Sequence, residues 1–331
     1  MVAPWLPLLY ILGMPELPEV QTIVSELNRK LKNRVIKSVS VNEPNMISVG
    51  PHTVSNRRTV SEHDVKVFTK LLAGQKIVGV KRRAKLLIFE LGPTSPRLRR
   101  VSALLNILVH LKMTGQFIFE DKKQRLKTHG KYRMFNKLNA PLVQLPGKHT
   151  HVMFNFTDGA TLYFNDIRKF GYMKLVRDDE LDSVKELLGY GPEPLDKEFT
   201  FDVFRSILLK RPKGKIKQVL MDSALVAGIG NIYSDEILFH AKVRPTRAVK
   251  SLSELEIKAV YKYIPVVLKK GIAAKGSSVG DFVRTDGSWG QMGKFHFVYG
   301  RKGQPCKVCK TKIETVKIGG RTGSYCPQCQ K

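Results

Sequence analysis

Along residues 18–31, apolar Val20, Ile23, Val24, Leu27 and Leu31 recur at steps of three and four, which predicts an amphipathic helix with one buried face. The period then shortens. Runs rich in β-branched and aromatic residues occupy 35–41, 76–80, 86–91, 104–111, 117–119, 152–156, 161–164 and 172–176, and Asp158-Gly159 between two of them is a hairpin-turn signal. One helix followed by so many short strands predicts an α+β fold that opens with a β-sandwich flanked by that helix. The pattern turns helical again beyond a linker at 180–198, which contains Gly189-Tyr190-Gly191-Pro192-Glu193-Pro194. There the run 215–222 leads into Gly228-Ile229-Gly230-Asn231-Ile232-Tyr233 and then 235–238. Two helices joined by a glycine-bracketed turn direct backbone N–H groups and Asn231 toward one point, a geometry suited to phosphate.

The expected divisions are a leader or mis-assigned start at 1–13, a sandwich domain at 14–179, the linker, a helical domain at 199–300 and a cysteine-bearing segment at 301–331. Residues 1–13 hold no charged side chain, are too short for a membrane span of ~20 residues and lack the basic start and cleavage pattern of a signal peptide. Residues 121–150 form a long basic stretch with Lys122, Lys123, Arg125, Lys127, Lys131, Arg133 and Lys137, expected to be a loop, either solvated or tracking DNA. Residues 276–291 are a second polar, glycine-containing loop.

Charge narrows the partners. The 331-residue chain carries 57 Lys and Arg against 28 Asp and Glu, a net +29. Such an excess points to a polyanion, because neutralising phosphates releases counterions. A membrane surface is disfavoured by the lack of a basic amphipathic helix or lipidation motif. Ribosomal RNA binders share this composition, so charge alone does not say which polyanion is bound.

Two stretches carry chemistry. In Met14-Pro15-Glu16-Leu17-Pro18-Glu19-Val20, removal of Met14 would give Pro15 a free secondary amine. Such an amine forms an iminium with an aldehyde-like carbon without a metal, and Glu16 beside it could move the protons. The plainer alternative is that Pro15 and Pro18 punctuate a helix start. At the other end, Cys306-x2-Cys309 and Cys326-x2-Cys329 are separated by sixteen residues and hold all four cysteines. That spacing reads as one structural zinc with four thiolate ligands and no open position, in preference to disulfides.

The stretch 14–20 resembles the start of the formamidopyrimidine-DNA glycosylases (the Fpg/Nei family), and the resemblance runs in order from Met14 to Lys331. It implies attack by Pro15 on C1′ of a flipped nucleotide and proton transfer by Glu16, with Glu19 as its neighbouring partner. It also implies a lesion and phosphate contact for Lys85, which ends Arg82-Arg83-Ala84-Lys85. The bare alternative there is a solvated basic turn. His110-Leu111-Lys112-Met113-Thr114-Gly115 resembles the family's HLGMSG, although Lys112 replaces a glycine. By that resemblance Met113 fills the gap left by the flipped base. Arg168 and Phe170, in Asn165-Asp166-Ile167-Arg168-Lys169-Phe170-Gly171, are then the other two wedges. Such plugs offset unstacking; otherwise Met113 and Phe170 are core residues and Arg168 a surface charge. The resemblance further implies phosphate contacts by Lys217 (or Lys215) and Asn231, with Tyr233 in the same DNA-binding motif. It assigns a phosphate grip to Arg321 in the zinc hairpin and a lesion-capping role to the 276–291 loop. The expected protein is thus a monomeric, cytoplasmic, nucleoid-associated glycosylase and abasic-site lyase of bacterial type. Its substrate is duplex DNA with oxidised purines or abasic sites, and it has no catalytic cofactor. Alternatives are an endonuclease VIII-like enzyme for oxidised pyrimidines, a damage binder without chemistry if the leader persists, and a zinc-ribbon RNA binder.

Overall fold

The computed structural model describes residues 14–52, 60–94, 104–133, 142–280 and 282–331; the expected leader at 1–13 lies outside them. The chain enters on α1 (Leu17–Leu31), whose Pro18 sits in the first turn, where a missing N–H leaves no intrahelical bond unmade. Then come β1 (Ile36–Val41), β2 (Ile47–Val49), α2 (Glu62–Leu72), β3 (Lys76–Arg83), β4 (Leu86–Gly92), β5 (Leu105–His110) and β6 (Gly115–Glu120). They are followed by α3 (Lys122–Thr128), β7 (Lys131–Arg133), β8 (Leu142–Gln144), β9 (Thr150–Phe156), β10 (Thr161–Asp166) and β11 (Tyr172–Arg177). Helix α2 has no counterpart in the strand pattern. Its start is fixed locally, where Ser61 Oγ accepts the Asp64 N–H and the Asp64 carboxylate accepts the Ser61 N–H in return.

One sheet has the order β1-β9-β10-β6 and the other β2-β11-β5-β4-β3, antiparallel except where β2 runs parallel to β11. Val39, Phe117, Phe154 and Leu162 of the first face Val80, Phe89, Ile107 and Met173 of the second, with Leu27 and Leu31 of α1 in the same core. The expected sandwich with a flanking helix is present. Strands β5, β6 and β10 are buried at every position, so their outer faces are covered too. The linker supplies one cover, with Leu181, Val184, Leu187 and Tyr190 lying on Leu108 and Tyr172.

The other cover corrects an expectation. Within 121–150 the structure has a helix, α3, and a two-stranded hairpin, β7–β8, rather than one loop; residues 134–141 lie outside the described residues. Asp121 caps α3 by accepting the Gln124 N–H, and buried Tyr132 and Leu145 pack on Ile118 and Tyr163.

The second half comprises α4 (Lys185–Leu188), α5 (Phe201–Leu209), α6 (Ile216–Met221), α7 (Asn231–His240) and α8 (Glu254–Ala273), then the hairpin of β12 (Glu314–Ile318) and β13 (Arg321–Tyr325). Its core is Phe204, Ile216, Leu220, Ile237, Ile264 and Leu268 with their neighbours. Side chains cross between the halves: Leu17 of α1 belongs to this second core, Phe282 belongs to the sandwich core, and Val283 packs with Ile118 and Tyr163. Among the described residues no helix is long and apolar enough to cross a membrane.

Candidate active site

The junction that seats Leu17 in the second core also carries Glu16 to the N-terminus of α7. There Glu16 Oε1 accepts the Ile232 N–H at 2.8 Å, and Oε2 accepts those of Gly230 at 2.8 Å and Tyr233 at 3.3 Å. Free N–H groups at a helix start favour an anion. Burial still raises the Glu16 carboxyl above its ordinary range, partly offset by the Lys85 charge and those N–H donors. Gly230 is required by contact: a Cβ there would lie 2.4 Å from the Glu16 carboxyl carbon.

Glu19, one turn along α1, is also buried. Its Oε2 accepts the Glu16 N–H at 2.9 Å, and its Oε1 accepts the Tyr233 hydroxyl and the Ser277 N–H, both at 2.7 Å. Burial, reinforced by the charge of Glu16, pushes its carboxyl up to about 7. Tyr233 was expected to touch DNA, and the structure corrects this. Its side chain is wholly enclosed and supports Glu19 from within.

A cleft of about 640 Å³ opens from this junction, lined by Met14, Glu16, Lys85, Asn231 and Arg321 among others. Segments scattered over 300 residues of sequence meet here. Lys85 sits in the β3–β4 turn; burial lowers its ammonium, opposed by Glu16 and Glu19 and reinforced by Arg321. That turn is not the solvated one considered as the alternative. Glu193 of the linker accepts from Arg82 Nη1 at 2.7 Å, from Arg83 Nη1 at 3.1 Å and from the Ala84 N–H. The amide oxygen of Asn231 is buried without a hydrogen-bond partner, at the cleft wall. Arg321 is exposed at the tip of the β12–β13 hairpin. Tyr299, Lys302 and Lys317, not singled out in the sequence, line the same cleft.

Lys217 departs from expectation. It is 0% exposed, and its ammonium donates to Asn231 O, Ser234 Oγ and Asp235 Oδ1. With all three donors used inside the protein, it holds the α7 start and does not face a ligand. Lys215, the other lysine considered, is exposed at the cap of α6. Asp235 in turn accepts the Ser324 N–H at 2.8 Å, which ties the hairpin to α7.

The three wedge candidates come together. Arg168 Nη1 lies 3.1 Å from Met113 Sδ, and its guanidinium stacks 4.5 Å from the Phe170 ring centre. Phe170 is 40% exposed, an uncommon state for a large aromatic side chain. Buried Asp166 fixes the turn by accepting the N–H groups of Arg168 at 3.0 Å and Gly171 at 2.7 Å. Behind them, burial and the charges of Lys112 and Lys85 lower His110 to about 3, so its ring is neutral.

The four cysteine Sγ atoms all lie within 4.8 Å of one another and form no disulfide. Tetrahedral zinc with ~2.3 Å Zn–S bonds needs Sγ separations of about 3.8 Å, and Cys309–Cys326 and Cys306–Cys329 lie 3.4 and 4.0 Å apart. Val308 N–H and Cys329 N–H point at Cys306 Sγ and Cys326 Sγ, as donors to thiolates do. The site fits one structural zinc with Cys306, Cys309, Cys326 and Cys329 as its ligands.

Comparison with known proteins assigns the class. Residues 14–173 match the model of the formamidopyrimidine-DNA glycosylase N-terminal domain, 190–283 that of the formamidopyrimidine-DNA glycosylase H2TH domain, and 303–331 a zinc finger found in FPG and IleRS. This succession of sandwich, helix–two-turns–helix and finger is that of a zinc-bearing DNA glycosylase. A formamidopyrimidine-DNA glycosylase of Listeria monocytogenes is 37% identical over 321 residues, 96% of this chain and 100% of that protein. Lactococcus lactis Fpg in complex with abasic-site DNA superposes with a TM-score of 0.75 at 32% identity, covering 96% of this chain and 99% of that one. MutM in complex with DNA containing carbocyclic 8-oxo-G gives 0.75 at 31%, covering 96% and 100%. The chain belongs to the formamidopyrimidine-DNA glycosylase family.

Proposed function

We propose that the protein is a bifunctional DNA glycosylase and abasic-site lyase that removes oxidised purines from duplex DNA, with the Pro15 nitrogen as nucleophile. The observation that carries this reading is the burial of the Pro15–Glu16 junction against the α7 start, at the head of a cleft shared with Lys85, Asn231 and Arg321. Met14 lines that cleft, so its removal bares the Pro15 nitrogen to it. The family model begins its match at residue 14, which supports Pro15 as the working terminus.

In this reading the amine lone pair attacks C1′ and the glycosidic electrons leave with the base, which takes a proton from water. Glu16 takes the amine proton and returns it to O4′ as the ring opens, leaving an iminium. The iminium acidifies the C2′ hydrogen; its loss expels the 3′ phosphate, and loss of the C4′ hydrogen then expels the 5′ phosphate. Water releases Pro15. Glu16 is suited to alternate between acid and base because burial favours its protonated form while three N–H donors and Lys85 favour its anion. Lys85, Asn231 and Arg321 hold backbone phosphates, and Met113, Arg168 and Phe170 fill the emptied stack. We take Lys215, not Lys217, as the α6 phosphate contact. The +29 charge supports DNA as the partner, and the family likeness supports a monomer in the cytoplasm, associated with the nucleoid.

Borohydride trapping on an 8-oxoguanine duplex tests this, comparing the 331-residue form with one that begins at Pro15. A covalent adduct with the Pro15 form alone is expected. Adducts from both forms, with residues 1–14 verified intact, would move the chemistry to another amine such as Lys85. DNA binding with no adduct from either would leave a damage binder without chemistry.

A further inference from the structure

Helix α1 does more than present Pro15. Its N-cap Glu16 and, within it, Glu19 and Glu26 each grip a different segment of the second half: the α7 start, Ser277, and Arg284 with Thr285. The last two grips pin the part of the 276–291 loop from Ser277 to Thr285 at its two ends. At the far end Glu26, itself 6% exposed, accepts Arg284 Nε at 2.6 Å, the Thr285 hydroxyl at 2.7 Å and the Thr285 N–H at 3.1 Å. Lys30 also donates to the Thr285 hydroxyl at 2.8 Å, and Thr285 O accepts the Phe119 N–H at 2.9 Å. The charges facing Glu26 here are those of Arg284 and Lys30. Between the two ends, Ser277, Val279, Gly280 and Phe282 wall a cavity that Pro15 and Glu19 also line.

We propose that Glu26 is a specificity-determining positioning residue: by fixing the Arg284–Thr285 end, it makes the wall beside Pro15 firm enough to hold a flipped base in register for attack. The inference rests on the function proposed above. Met14 also lines this cavity of about 10 Å³, room for one water, so a base enters only once Met14 is removed and the wall yields outward. With both ends held, that yielding is confined to the residues between them, and the base stays gripped. With the Glu26 end released, the base ranges over more positions, and a misplacement of about 1 Å costs up to ~100-fold in rate. An abasic site has no base to grip and is indifferent to the wall.

The test compares the zinc-bound wild type, Glu26→Gln and Thr285→Val, in the 331-residue form and the form that begins at Pro15. Single-turnover rates are measured on duplexes bearing 8-oxoguanine and on duplexes bearing an abasic site. In the Pro15 form, each variant should lose about tenfold or more in base excision while abasic-site cleavage stays within about twofold. Parallel loss on both substrates would show a purely structural role and overturn the proposal, as would no loss on either. A wild type active on neither substrate overturns the proposed function itself, and this inference with it.

Discussion

Gly230→Ala isolates the seat of Glu16 from every other property of the site. Gly230 has φ −131° and ψ −153°, which alanine adopts without strain, so only the added methyl matters. That methyl would lie 2.4 Å from Glu16 Cδ, 2.6 Å from Oε1 and 2.7 Å from Cγ. Ordinary contact begins at 3.4 Å, so the carboxylate must withdraw by about 1 Å. A shift of that size breaks its alignment with the N–H groups of Gly230, Ile232 and Tyr233 and misplaces the proton relay. The expected loss in single-turnover cleavage of an abasic-site duplex is about 100-fold, or ~2.7 kcal/mol on the barrier. Overpacking should cost about 1–3 kcal/mol of stability, within the reach of a folded protein, and affinity for the duplex measured by anisotropy should stay within about threefold. Cleavage within threefold of wild type, in a protein whose melting point has nonetheless fallen, would refute the assignment of Glu16 as the proton carrier.

The buried carboxyl of Glu19, raised to about 7, contributes stability that is fully present below its unfolded value near 4.5 and lost as pH rises through about 7. Glu19→Gln should therefore flatten the fall in urea-unfolding free energy between pH 5 and pH 8 by roughly 2–3 kcal/mol, and an unchanged slope would contradict this account. Arg321→Ala should weaken duplex binding and lower the salt slope by about one. Lys217→Met, in contrast, should leave that slope unaltered while costing about 3–5 kcal/mol of stability, because it strands Asp235 in the interior. Removing zinc with a chelator should release the hairpin and lower DNA affinity while the sandwich keeps its far-ultraviolet dichroism; undiminished binding by the metal-free protein would show that the finger is not needed.

What was legible in the sequence was local. The Pro15-Glu16 string, the turn at Asn231 and the cysteine pairs are short strings whose spacing already fixes their geometry, and the strand runs were found because β-branched and aromatic residues mark them. Charged residues were harder, since a Lys or Glu gives no sign of being buried when its partner is distant in sequence. Glu193 meets Ala84 from 109 residues away, and Glu26 meets Arg284 from 258. Lys217 and Tyr233 lay inside the right motif but were given an outward role, because a motif records neighbours and not which side faces water. Helix α3 was hidden by its exposed lysines; among its described residues none is buried, so no apolar period marks it.

Leu17 anchors α1 in the core of the second half, and apart from the Glu16 N–H that Glu19 accepts, the hydrogen-bond donors that hold Glu16 and Glu19 arrive from beyond residue 227. The chain therefore divides its labour unlike a string of independent modules. Under the mechanism proposed above, a fragment ending at residue 179 would bear the amine with nothing to orient its proton carrier, and the remaining fragment would bear the orienting groups with no amine. Each alone would be chemically silent, and catalysis would return only when the two reassociate, so turnover from mixed halves is a direct reporter of their docking.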